Sequence, residues 1–493
     1  MNKLQFSILN FQFVIRTLGS ILILETIFLL MATGVAFLYG GADAMPLLFS
    51  AGLMLAVGIL FFLIGRKANE KRSGRREGML TVALTWMALS FFGMAPFYLG
   101  GYINSIPDAY MEAMSGFTTT GIIGIVEDVE LLPHGIRFWR SLMQWQGGIG
   151  MVVFTVALLP VFGGGASQLF DAEVTGFTHE RFLPRVTEVA KRLSGVYLLL
   201  TFAFTILLWT GPMDFFDAVN HAMTGISTGG LSTKNANIVH WNSPYIEYIM
   251  MLCMCIGGMK LPLFYFSLKG NFNHFRQDEE TRWYLIYLFV FIAITFGWLF
   301  YNGYETGGTI ENTFRKAAFQ VVSLSTTTGF STANPLSWGQ FYLLIALFLM
   351  LICGCGGSTS GGIKMGRALI LFKNMYNEFR KQTHPAAVLP VRVNGRAVSH
   401  DIIYRVHIFV TIYFLLIGFS WLFLLTNGMS FNGALYVSVS AIGNTGFTPE
   451  MLGADSIYDL TVVSKWYISF IMMVGRLEIF TVLTILLPGF WRR

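Results

Sequence analysis

Charge is what this sequence has least of. Asp, Glu, Lys and Arg supply 12% of its 493 residues, about half the share found in soluble globular domains, which excludes an ordinary water-facing surface. Apolar residues supply 54% and the mean hydropathy is +0.60. Apolar windows of about 20 residues, the length a helix needs to cross a bilayer, recur from end to end, so one anchor on a soluble domain is excluded too. The first window, near Leu18 to Tyr39, has no small-residue cleavage site behind it and reads as a retained span rather than a signal peptide. Cysteine is equally scarce: four residues, as Cys253-x-Cys255 and Cys353-x-Cys355 inside apolar windows, too few for a disulfide framework. Residues two apart on a helix face different ways, and no His or carboxylate stands beside them at ligand spacing. A membrane metal or redox enzyme is therefore the remote alternative.

The net charge of +6 does not call for an acidic partner, because the basic residues sit in alternate short loops. Arg66, Lys67, Lys71, Arg72, Arg75 and Arg76 follow the second span; Arg181, Arg185, Lys191 and Arg192 the fourth; Lys269, Arg276 and Arg282 the sixth. Lys373, Arg380, Lys381, Arg392, Arg396 and Arg405 follow the eighth, whereas Glu127, Asp128 and Glu130 lie in an intervening loop. The positive-inside rule then puts both termini in the cytoplasm. Lipid is the expected surroundings, and no nucleic-acid partner is expected.

Ten crossings are expected, at about 18–40, 46–65, 78–100, 138–162, 192–210, 244–268, 283–302, 339–380 with an interruption, 403–426 and 464–488. Four shorter stretches, about 107–118, 214–227, 311–326 and 432–442, are too short to cross and read as re-entrant helices. Each leads into a Thr/Ser/Gly cluster: Thr118-Thr119-Thr120-Gly121-Ile122, Ser227-Thr228-Gly229-Gly230-Leu231, Thr326-Thr327-Thr328-Gly329-Phe330 and Gly443-Asn444-Thr445-Gly446-Phe447. Their last glycines are 109, 99 and 117 residues apart. A second landmark keeps phase in the span that follows each cluster: Gly147-Gly148, Gly257-Gly258, Gly354 to Gly357, and Gly475. One Thr/Gly string is an ordinary turn; four in register are an internal repeat. The expected fold is an all-α membrane protein in which four helix, pore-helix, helix units surround one pore, preceded by two extra N-terminal helices. The divisions fall at 1–76 for the N-terminal pair, then 77–165, 190–270, 281–382 and 401–493 for the four units.

The chemistry of the clusters fits a desolvated alkali cation. A ring of neutral backbone carbonyls can replace the hydration shell of potassium without trapping it. Glycine at positions 121, 230, 329 and 446 permits φ > 0, so that successive carbonyls can aim at one axis. No cluster contains a carboxylate, which argues against a divalent-cation filter. If the short helices end at the clusters, their partly negative C-termini face the pathway and favour a cation, and the acidic outer loop concentrates cations at the mouth.

In the third unit the string from Cys353 to Lys364 is too rich in glycine to stay helical. It reads as a movable obstruction just inside the filter, formed by Gly354, Gly356, Gly357, Ser358, Thr359, Ser360, Gly361 and Gly362; the plainer reading is a structural kink. A phosphate-loop reading fails on spacing, since Ile363 separates Gly362 from Lys364 and no Ser or Thr follows. Arg476, an ionisable residue inside the tenth span, is a functional candidate, with Glu478 or carbonyls of the 354–362 loop as expected partners; the plainer reading is an inter-unit salt bridge. Lys260, nearer a span end, is expected to snorkel.

With its four clusters, glycine-broken span and Gly475-Arg476-Leu477-Glu478 string, the chain resembles, over nearly all its length, the TrkH subfamily of the TrkH/TrkG/KtrB superfamily of bacterial potassium transporters, related to HKT-type transporters. The leading pair of spans favours TrkH over KtrB. The resemblance implies potassium, the transported ion, held at Thr119, Thr120 and Gly121; Thr228, Gly229 and Gly230; Thr327, Thr328 and Gly329; and Asn444, Thr445 and Gly446. It implies an intramembrane gate at 354–362 with a pore arginine at Arg476. It further implies a homodimer in the bacterial inner membrane, regulated by a cytoplasmic TrkA-like nucleotide-binding subunit, and neither catalytic residues nor a resident cofactor. A sodium-permeable or sodium-coupled member of the same superfamily is the nearest alternative.

Overall fold

The computed structural model describes residues 9–68, 74–122, 124–126, 128–158, 186–304, 309–447 and 457–491. Lys71, Arg72, Glu127, Arg181 and Arg185, named above for loop charge, lie outside the described residues. Helices α1 (Phe11–Leu38) and α2 (Ala44–Ile64) form an antiparallel hairpin. Small residues let the two approach: a Cβ on Gly19 would sit 2.6 Å from the Gly58 carbonyl oxygen.

After this pair the same succession of long helix, short helix, extended cluster and second helix recurs four times. It runs α3 (Arg75–Gly93, continued by α4, Ala95–Leu99), α5 (Ile106–Phe117) and α6 (His134–Leu158). Next come α7 (Val186–Trp209), α8 (Phe215–Ile226), and α9 (Pro244–Gly257) with α10 (Leu261–Leu268). After a short α11 (Asn273–Gln277) follow α12 (Glu279–Asn302), α13 (Ile310–Ser325), and α14 (Gly339–Leu351) with α15 (Met365–Thr383). Last are α16 (His400–Thr426), α17 (Phe431–Gly443), α18 (Val462–Arg476), α19 (Phe480–Leu486) and a terminal turn α20 (Pro488–Trp491). Among the described residues the one sheet is a hairpin, β1 (Arg392–Val393) against β2 (Arg396–Ala397). Its Asn394-Gly395 turn has φ of +50° and +76°, the left-handed pair that a right-twisted hairpin favours.

The short helices begin where the sequence supplies caps. The side chains of Asp214, Thr309 and Ser430 accept from the backbone N–H three residues on, and Pro107 opens α5 after Ser105. The short helices are buried through most of their length, whereas α2, α7, α12 and α16 expose large apolar side chains such as Phe49, Phe202, Phe289 and Leu415. A face of that kind needs an apolar solvent. Among the described residues six helices are long and apolar enough to cross a membrane, or up to eight if each of two bent pairs counts as one. The protein is thus a helical, multi-pass membrane protein.

Two expected spans are not straight. The pair α9–α10 bends by 100°, where Gly257-Gly258 end one helix and Lys260, extended at its N-cap, starts the next with Pro262 in its first turn. The pair α18–α19 bends by 119° through Glu478 and Ile479, whose φ values of +60° and +36° mark a strained joint. The expected eighth span breaks between Leu351 and Met365, as its glycine content requires. Buried ion pairs, absent from any periodicity, fasten the short helices to their neighbours: Arg140–Glu112, Lys465–Asp108 and Arg315–Glu247, each 2.6 Å.

Candidate functional site

Each short helix ends in a backbone pattern that explains its cluster. In the first, Thr119 N–H donates to Gly116 O (2.9 Å) and Thr120 N–H to Ser115 O (2.9 Å), the paired bonds of a Schellman cap. The second repeats this with Thr228 to Gly225 (3.1 Å) and Gly229 to Thr224 (2.8 Å), the third with Thr327 to Leu324 (3.1 Å) and Thr328 to Ser323 (2.9 Å). In the fourth, Thr445 N–H reaches Ser440 O at 3.0 Å. The left-handed residue of these caps is Thr119 (φ +54°), Thr228 (+53°), Thr327 (+59°) or Asn444 (+53°). Left-handed threonine is rare because its branched Cβ crowds the backbone, and three such residues, in register with Asn444, mark a strained, position-specific element.

Two residues on, Gly121, Gly230, Gly329 and Gly446 are again left-handed, with φ of +70°, +80°, +84° and +75°. An ordinary strand sends successive residues to opposite sides. A left-handed residue at every second position removes that alternation and turns successive carbonyls toward one side. Because the N–H groups are spent on the short helices, the carbonyls are left over. Among the described residues no protein donor reaches the carbonyls of the twelve cluster residues named above, with one exception. That exception is Gly229, whose oxygen accepts from Gln144 Nε2 at 2.6 Å, while Gln144 Oε1 accepts from Leu231 N–H at 3.1 Å.

The four clusters close into a ring. A Cβ on Gly121 would collide with Gly229 O, one on Gly230 with Thr328 O, one on Gly329 with Thr445 O, and one on Gly446 with Thr120 O. Unit one therefore abuts two, two abuts three, three abuts four, and four returns to one. The threonines and asparagine of the ring are buried to within 1%. Behind it, the Thr118 and Thr120 hydroxyls hydrogen-bond at 2.7 Å, as do those of Thr326 and Thr328, and Asn444 Nδ2 donates to Thr120 Oγ1 at 3.0 Å. The second glycine landmark is a matter of close approach. A Cβ on Gly147, Gly257 or Gly475 would strike the carbonyl of Phe117, Ile226 or Ile442, the end of the short helix of its own unit.

Against the end of the ring nearest the short helices lies the broken eighth span. Its loop is pinched at the neck, where Cys353 N–H donates to Ile363 O (3.0 Å) and Ile363 N–H to Leu351 O (3.1 Å). Thr359 Oγ1 donates to Ile226 O and Gly257 O, both at 3.0 Å, and Gly361 N–H donates to Thr327 Oγ1 at 2.8 Å. Arg476, 2% exposed, donates through Nη1 to Thr359 O (2.8 Å) and through Nη2 to Gly147 O (2.9 Å). The loop and this one guanidinium thereby touch all four units.

A family model described as "Cation transport protein", TrkH, matches residues 54–489. The chain belongs to the TrkH family. It is similar to the Trk system potassium uptake protein TrkH of Escherichia coli strain K12, with 35% identity over 489 residues, 98% of this chain and 100% of that protein. The Trk system potassium uptake protein TrkG of the same strain is 30% identical over 444 residues, covering 88% of this chain and 90% of its own length. The crystal structure of the potassium transporter TrkH from Vibrio parahaemolyticus superposes with a TM-score of 0.90 at 32% identity, over 98% of this chain and 100% of that one. TrkH proteins are transporters, not enzymes, and among the described residues no cluster of His, Cys, Asp and Glu could hold a metal ion.

The structure of this TrkH-family chain brings the twelve cluster residues together and sets the 354–362 loop with Arg476 beside them. The expectation for Arg476, Glu478 or a carbonyl of the 354–362 loop, is met by the carbonyl of Thr359, while Glu478 pairs with Arg367 of α15. One expected placement is corrected. Lys260 does not snorkel: it is buried against Asp278 (2.9 Å) and Glu280 (2.7 Å), because the bend after α9 turns it inward. Gln144, Glu280 and the left-handed threonines were not anticipated. A polar residue at 144, three before the glycine landmark of an apolar span, was the one available signal.

Proposed function

We propose that this chain takes up potassium across the bacterial inner membrane through a single pathway. In this reading Thr119, Thr120, Gly121, Thr228, Gly229, Gly230, Thr327, Thr328, Gly329, Asn444, Thr445 and Gly446 form the selectivity filter. One observation carries the reading: four segments meet in a closed ring whose buried carbonyls, all but one, have no protein donor among the described residues. Buried carbonyls in that state demand a partner, and a desolvated cation is the partner that neutral, closely spaced dipoles suit. The short helices direct their partly negative C-termini at the same place. The relatives reported above are named as a potassium uptake protein and a potassium transporter, which supports potassium as the ion transported.

The loop 354–362 with Arg476 serves as the gate, since a fixed positive charge against the ring raises a barrier to cations. The chain comprises ten crossings, divided as an N-terminal pair at 1–76 and four units at 77–165, 190–270, 281–382 and 401–493, with both termini cytoplasmic. It works as a homodimer under a cytoplasmic, nucleotide-binding, TrkA-like subunit, in keeping with the word "system" in its relatives' names. Reconstitution into liposomes with potassium, rubidium, sodium or lithium gradients tests the filter. Potassium and rubidium are expected to move and sodium and lithium to lag; equal flux of all four overturns the selectivity, and sodium flux ahead of potassium favours the sodium-permeable alternative.

A further inference from the structure

The gate loop is clipped to the rest of the protein by a carboxylate that no filter or gate motif includes. Glu280, in the first turn of α12, is fully buried. Its Oε1 accepts from Gly356 N–H at 2.7 Å, inside the loop, and from Gly366 N–H at 2.8 Å, in the first turn of α15 just beyond it. One oxygen therefore bridges the two sides of the neck. Gly366 N–H is one of the donors a helix start leaves without an intrahelical partner, and an anion there is favoured by the helix dipole as well. Glycine is needed for the approach, since a Cβ on Gly366 would lie 2.9 Å from that same oxygen.

The charge of Glu280 is held by the bend of the second unit. Lys260 Nζ lies 2.7 Å from Glu280 Oε2 and 2.9 Å from Asp278 Oδ1, and Asp278 Oδ2 accepts from Thr281 N–H (2.9 Å) and Oγ1 (2.6 Å). The cluster reaches outward as well. Glu279 N–H donates to Asn394 Oδ1 at 2.7 Å, Asn394 N–H returns to Glu279 Oε2 at 3.0 Å, and Asn394 Nδ2 meets Asp278 Oδ1 at 3.3 Å. Asn394 is the tip of the β1–β2 hairpin, whose strands carry Arg392 and Arg396 of a basic loop.

We propose that Glu280 is a positioning residue for the gate, latching both ends of the loop shut against Lys260, and that the Asn394 hairpin is the handle through which this latch is worked from the basic-loop side. The proposal rests on the gate reading above. A buried pair is costly to break by removing one partner, so displacing the hairpin, which contacts Asp278 of the latch and the neighbouring Glu279, bears on the two glycine amides through Lys260 and Glu280.

The test is rubidium flux into liposomes from monodisperse protein, normalised to incorporated protein. Controls are the wild type and a variant lacking 357–360. Glu280→Gln, which keeps an acceptor oxygen but removes the charge, is expected to raise flux roughly tenfold, with the rubidium-to-sodium ratio unchanged. Glu280→Asp is expected to raise it less, and Asn394→Ala to raise it by roughly threefold. Wild-type flux in both Glu280 variants, while the deleted loop leaks, overturns the latch and leaves the gate standing. No leak from the deletion overturns the gate itself and the latch with it. If Glu280→Gln does not fold, hydrogen exchange in Glu280→Asp decides: faster exchange at 354–366 with 443–447 unaltered supports the latch, and unaltered exchange in both overturns it.

Discussion

The second helices of units two and three are both broken beside the ring, but in opposite ways. In unit two the break is a bend of 100° over three residues between α9 and α10; in unit three it is a loop from Ile352 to Lys364. A break leaves carbonyls orphaned on one side and N–H groups on the other. The two breaks supply each other. Cys355 N–H donates to Gly258 O (2.8 Å), Thr359 N–H to Gly257 O (3.2 Å), and in return Leu261 N–H donates to Gly357 O (3.4 Å). The sharp bend is the fixed half of a joint whose long loop is the other half, which is why a glycine pair sits in one and a glycine string in the other. Unit one teaches the same by contrast, since α6 runs unbroken through His134–Leu158 and contributes Gly147 O to Arg476.

The strongest way to break this comparison is to remove what the loop holds. Arg476→Ala deletes two charge-assisted hydrogen bonds, each worth about 1.5–3 kcal/mol, and is expected to raise rubidium flux by about 10- to 100-fold in liposomes. Loss of steric fit comes next. Gly354→Ala puts a Cβ 2.6 Å from Gly258 O, across the joint, and Gly257→Ala puts one 2.8 Å from Ile226 O, at the end of its own unit's short helix. Both are expected to lower stability by about 1–3 kcal/mol, read by thermal unfolding in detergent, whereas Gly52→Ala, with nothing within 4 Å, does not lower it. A loss at 354 marks the joint; no loss there contradicts it.

Thr359→Val is milder: it removes the one hydroxyl proton shared between Ile226 O and Gly257 O and is expected to raise flux about threefold to tenfold, for a loss of about 1 kcal/mol, with selectivity retained. The smallest effect lies at the opposite mouth. The Asn235 amide donates to Asp128 at 2.6 Å and holds that carboxyl below the usual aspartate range. A lowered value keeps the charge at neutral pH and loses it only in stronger acid. In Asn235→Ala the charge is lost at higher pH, so near about pH 4, the ordinary aspartate value, half-saturating potassium is expected to rise by less than about twofold.

What the sequence made legible follows from whether a feature is local. The short helices could be bounded to within a few residues because Pro107, Asp214, Thr309 and Ser430 are local start signals and the clusters are local stops. The ring partners could be named because four copies of one string repeat in phase. The left-handed threonines were hidden, since threonine carries no sign of φ > 0 and only the Schellman bonding imposes it. The burial of Lys260 and the turn of Glu478 toward Arg367 depend on partners on other helices, Glu280 and Arg367. Charge inside an apolar run signals function, yet nothing in its spacing names the counter-charge.

The account stands on backbone carbonyls from four segments holding one dehydrated ion. Anomalous scattering from crystals grown in rubidium or thallium measures this directly. Peaks on the axis between Gly121, Gly230, Gly329 and Gly446, bounded by carbonyls of the residues that precede them, are the predicted result; an ordered ion elsewhere in the protein, with the ring empty at saturating rubidium, would contradict it.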